Sequence, residues 1–139
     1  MFCGGPIANK SKIQSTVSTS LTEAEFLAAF HAAKIAKYIR SILAQLRYIQ
    51  HEPSRLIKDN VAAILMVNAS RPTPRSRHIA IQHFAIQEWK ANREIVLEHI
   101  PGIINSAELL TKSLGTQLHH RHVRRLLGHH GAPWILHIP

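Results

Sequence analysis

A chain of 139 residues with 45% hydrophobic composition is sized for one domain with a packed core. No apolar run approaches the roughly 20 residues that a membrane-spanning helix needs, and a single cysteine, Cys3, rules out an internal disulfide and fits an intracellular setting. Lysine and arginine total 17 against 8 acidic residues, a formal +9 with 11 histidines besides, and a surplus of that size favours a polyanionic partner, nucleic acid above all.

Taken in order, the opening Met1-Phe-Cys-Gly-Gly-Pro is too short and too glycine-rich for a signal peptide. Pro6 to Val17 reads as extended chain with a basic middle at Lys10 and Lys12. A long helix is predicted from Leu21 to Arg47. Thr22 and Glu25 have the spacing of a capping box, and Glu23 and Glu25 are placed in the first turn, where acids suit the helix dipole. Ala29, Ala32, Ala36 and Ile39 recur at helical spacing, widened by Phe26, Phe30, Ala33, Ile42, Leu43 and Leu46. Lys34, Lys37, Arg40 and Arg47 make the far end basic, which suits a helix C-terminus or a phosphate contact.

Arg55 to Asn60 reads as a short strand ending at Asp59, followed by an apolar helix over Val61–Val67. Asp59 is then either a helix N-cap or a ligand-facing acid at a strand's C-terminal end. Arg75 to Asn92 has helical spacing, with Ile79, His83, Ile86 and Lys90 on one stripe. Arg75, Arg77 and His78 cluster at its start, where cations oppose the dipole, so they point to phosphate contact or a solvated turn. Glu94 to Pro101 alternates as a strand does. A short helix begins near Asn105 or Ser106, with Glu108 in its first turn. The basic stretch from Leu118 to Gly131 interleaves histidines with Arg121, Arg124 and Arg125, so it reads as a nucleic-acid-facing helix. His119, His122 and His129 are poor candidates for a structural metal among so many cations.

Together, Gly4-Gly-Pro-Ile, Lys10-Ser-Lys, Ser20-Leu-Thr-Glu-Ala-Glu-Phe, Lys58-Asp-Asn, Ser76-Arg-His-Ile and Ala107-Glu-Leu-Leu-Thr-Lys resemble, in order and spacing to about Pro133, the ribonuclease H domain of copia-type LTR retrotransposon Pol polyproteins. The resemblance implies an α/β fold, a ribonuclease H-like mixed sheet flanked by helices, over 1–133, with 134–139 left as an apolar C-terminal tail. It implies an ancestral activity, cutting the RNA strand of RNA–DNA hybrids by two-metal hydrolysis with Mg2+ or Mn2+. Residue by residue, Glu25 matches the family's catalytic and metal-binding glutamate and Asp59 the aspartate at a strand end. Glu108 stands where the last catalytic aspartate is usual. Glu23 supports Glu25 without ligating.

Against the family pattern, the first strand, with its catalytic aspartate, and most of the second are missing, so the expectation is a chain without appreciable activity of its own. The usual His-Ile-Asp-Ile stands here as His78-Ile-Ala-Ile81, and the tryptophan common near Asn9 is gone. The nucleic-acid-binding residues expected are Lys10, Lys12, Arg75, Arg77, His78, Arg121, Arg124 and Arg125, and the partners are an RNA–DNA hybrid or other nucleic acid and an upstream reverse transcriptase segment. Alternatives are a catalytically dead basic nucleic-acid-binding module and a gene fragment without function.

Overall fold

A computed structural model describes residues 6–8, 21–69 and 79–127. These fall into two compact units, one within Gln14–Ile100 and the other drawn from Met1–Ile13 and Pro101–Pro139. The boundary expected at 133/134 lies outside the described residues, as do Lys10, Lys12, Arg75, Arg77, His78 and His129.

The Gln14–Ile100 unit holds α1 (Leu21–Gln45), β1 (Ser54–Lys58), α2 (Val61–Asn68), α3 (Ala80–Ala91) and β2 (Ile95–His99). The two strands pair in parallel, Ser54 opposite Ile95 through Lys58 opposite His99. Parallel strands need a crossover, here α2 and α3. Among the described residues the sheet has these two strands, and the protein is a mixed α/β chain. No described helix is long and apolar enough to cross a membrane.

The core gathers Phe26, Leu27 and Ala33 of α1, Val67 of α2, Ile79 and Ile86 at α3, and Ile95 of β2, with Phe30, Leu56, Met66, Trp89 and Leu97 against it. Phe30 and Trp89 stack at 5.4 Å between ring centroids. The stripe expected on α3 holds, since Ile79, His83 and Ile86 are all buried. Inside, His83 lies near-parallel to the Phe26 ring, and its Nε2 sits 3.1 Å from the Met66 carbonyl.

Three expectations about α1 need correction. The helix starts at Leu21, so Thr22 lies inside the first turn and does not cap it. Glu23 is the first-turn acid and is buried, whereas Glu25 stands at the start of the second turn. The apolar stripe is narrower than its periodicity implies, because Ala32, Ile42 and Leu46 are exposed. Full burial on α1 is confined to Glu23–Ala33, and the later turns meet α3 and β1 through Lys37 and Arg40.

Both long helices of this unit stop in the same way. Arg47 adopts φ 65° and Arg93 φ 56°. After α1, Tyr48 N–H donates to the Leu43 carbonyl and Arg47 N–H to that of Ala44. After α3, Glu94 N–H donates to Trp89 and Arg93 N–H to Lys90. These are Schellman motifs, with arginine at the left-handed position that glycine usually fills. Arg40 then secures the loop after α1. Its guanidinium donates to the Gln50 carbonyl at 2.6 Å, the Glu52 carbonyl at 2.7 Å and Ser54 Oγ at 3.3 Å.

In the other unit, 3-10 turns over Gly102–Ile104 and Ser106–Leu110 precede α4 (Thr116–Leu126). Asn105, not Ser106, caps the second turn, its Oδ1 accepting from Ala107 N–H at 3.2 Å. The short helix expected here is a 3-10 helix over Ser106–Leu110.

Candidate functional site

Lys58 ends β1 on the same face as Leu56, two residues earlier, and Leu56 packs on the core. That face meets α1. The Lys58 ammonium donates to Glu25 Oε2, closing an ion pair across 33 positions of sequence, with side chains 15% and 32% exposed. Asp59 follows at once, half-buried in the bend beyond the strand. Of its two sequence readings, the capping role is overturned. Asn60 caps α2, its Oδ1 accepting from Ala63 N–H at 3.0 Å. The Asp59 carboxylate is thus left out of the helix start, at the C-terminal end of a parallel strand.

Glu108, in the Pro101–Pro139 unit, lies on its 3-10 turn and pairs with the ammonium of Lys112 one turn on; the carboxylate side is 12% exposed and the lysine 58%. Both glutamates singled out by sequence are therefore matched with a lysine of the chain itself. Oxygen donors suit Mg2+ or Mn2+, but a carboxylate already neutralised by an ammonium is a weak ligand. Among the described residues no group of three or more His, Cys, Asp or Glu side chains gathers as a metal site. A divalent ion at Glu25 or Glu108 would have to compete with the lysine already paired to that carboxylate.

The cations divide by role. Lys37 pairs with Glu94 at 2.7 Å and lies 4.9 Å over the Trp89 ring, and Arg40 holds the loop, so both are engaged within the fold. Lys90 reaches Asn68 Oδ1 at 2.5 Å, and burial lowers its pKa. On β1, the Arg55 guanidinium donates to Glu98 Oε1 at 2.8 Å, and this hydrogen bond raises its pKa. On α4, Arg121 and Arg124 are exposed, whereas Arg125 is half-buried and donates to the Ile104 carbonyl at 3.2 Å.

His122 is fully buried on α4, with Nδ1 3.4 Å from Ser106 Oγ. Burial lowers its pKa, helped by Arg125 and Arg121 and opposed by Glu108. His122 is the one fully buried residue of α4, whose His119, His120, Arg121 and Arg124 face solvent. Sequence reasoning placed Lys58 only as a motif letter. Its signal was its position, one residue before a strand-end acid and two after a core leucine.

Over 111 residues the chain is 32% identical to part of the retrovirus-related Pol polyprotein from transposon TNT 1-94 of Nicotiana tabacum, a match covering 80% of this chain and 8% of that polyprotein. The chain thus spans a small fraction of that relative's length, and the similarity points to a retrotransposon-derived protein. No family model matches the chain, and no solved structure matches it.

Proposed function

We propose that this chain is a ribonuclease H-like segment of a copia-type retrotransposon Pol polyprotein that binds nucleic acid and does not cleave an RNA–DNA hybrid on its own. The observation that carries the reading is the approach of Glu25 to the end of β1, which brings an acid of the first long helix to the residue beside Asp59. This supports the reading, because the resemblance implies that Glu25 and Asp59 serve one site. Similarity to the tobacco Pol polyprotein supports the origin, and the net charge of +9 with exposed Arg121 and Arg124 supports the polyanionic partner. Commitment of Glu25 to Lys58 supports the lack of hydrolysis. An upstream reverse transcriptase segment is the protein partner that fits this origin.

The test is to incubate the purified chain with a labelled RNA–DNA hybrid in Mg2+ or Mn2+ and to follow retention and cleavage together. Retention that weakens steeply with salt, without RNA-strand cleavage, is expected. Efficient cleavage that disappears in Asp59→Asn overturns the inactive reading, and no retention even at low salt overturns the binding one.

A further inference from the structure

We infer that Lys58 acts as a fixed cation for Glu25, standing in for a divalent ion and docking α1 onto the end of β1 without metal. The geometry supports the substitution. Lys58 lies on the same strand face as Leu56, which packs against the core, so the backbone directs its side chain towards α1. With 15% of its side chain exposed, it is drawn out of solvent, where an ion pair is screened less than at the open surface. An ammonium provides positive charge to Glu25 Oε2 but no open coordination position, so a divalent ion competes with it for the carboxylate.

The metal half of this inference rests on the reading of Glu25 as the family's ligand; the docking half rests on the ion pair alone. Thermal unfolding separates them. The intact chain is expected to show the same Tm in Mg2+, in Mn2+ and in sodium chloride of equal ionic strength. Lys58→Met is expected to lower Tm by about 2–4 °C and to recover part of the loss in Mn2+, and adding Glu25→Gln to it is expected to abolish the recovery. A specific rise of the intact chain's Tm in Mn2+ overturns the substitution, as does a Lys58→Met variant without any Mn2+ response. Unchanged stability in Lys58→Met overturns the docking role.

Amine labelling of the unaltered chain tests the same point where the variant does not fold. Lys58 is expected to label more slowly than exposed Lys34, by a ratio that Mn2+ leaves unchanged, and a selective Mn2+-driven rise in Lys58 labelling overturns the inference. Hybrid binding plays no part in either readout, so failure of the functional reading and failure of this one are distinguishable.

Discussion

Asn60 accepts from the Ala63 N–H at 3.0 Å, and so relieves Asp59 of the capping role that its place before α2 invites. The two neighbours are therefore expected to separate by function. Asn60→Ala removes a helix cap and should cost about 1 kcal/mol. Asp59→Asn should change stability by less than about 0.5 kcal/mol. Urea unfolding of both variants checks this, with equal losses counting against the assignment.

Arg40 makes a different kind of anchor. Its fork reaches two carbonyls and a hydroxyl in the segment between α1 and β1. Arg40→Ala is expected to destabilise by about 1–2 kcal/mol, since bonds from a charged donor are worth more than neutral ones but these are largely solvent-facing. Arg40→Lys should recover less than half, because a single ammonium cannot reproduce the planar fork. Denaturant midpoints of the three chains provide the comparison.

For His122, the sign of the pH dependence follows from its depressed pKa. The unfolded imidazole takes up a proton near about 6.5, and the folded one does so only at lower pH. Between those values the unfolded chain binds more protons. The contribution is therefore complete above about 6.5 and is lost as pH falls through the folded value. Amide exchange in α4 should accelerate from neutral pH towards 5, after correction for intrinsic exchange. In His122→Gln that dependence should flatten.

If the exposed face of α4 contacts phosphate, Arg121→Ala and Arg124→Ala should each reduce the slope of log affinity against log salt by about 1. Arg125→Ala should act differently, because its guanidinium holds the Ile104 carbonyl. Loss of α4 helicity by circular dichroism, beyond any change in salt slope, is the expected mark of that variant.

The strands and most helices were legible because their signals are local. Alternation marks Ile95–His99, and the 3.6-residue stripe of Ile79, His83 and Ile86 marks the buried side of α3. What escaped was decided by neighbours. Ala32 and Leu46 fit the apolar period of α1 but lie where no described element covers them, so period alone over-counted the face. Asp59 and Asn60 are both competent caps, and backbone geometry chose the second. The partnership of Lys58 with Glu25 spans 33 positions, and no local pattern encodes it. Burial of His122 was hidden by its cationic surroundings in sequence, since three arginines within three residues of it argue for a solvated helix until the Ser106 turn is seen to cover one side.

Arg47 and Arg93 carry a last consequence. Each holds a left-handed backbone that costs an L-residue about 1–2 kcal/mol and glycine almost nothing. Even after the greater freedom that glycine has in the unfolded chain, Arg47→Gly and Arg93→Gly should each raise stability by roughly 0.5–1 kcal/mol, read as an upward shift in Tm. The fold therefore holds back untapped tolerance at its two helix stops. A chain relieved at both would accept costly substitutions elsewhere, and so would make a sturdier background for altering Lys58, Asp59 and Glu25.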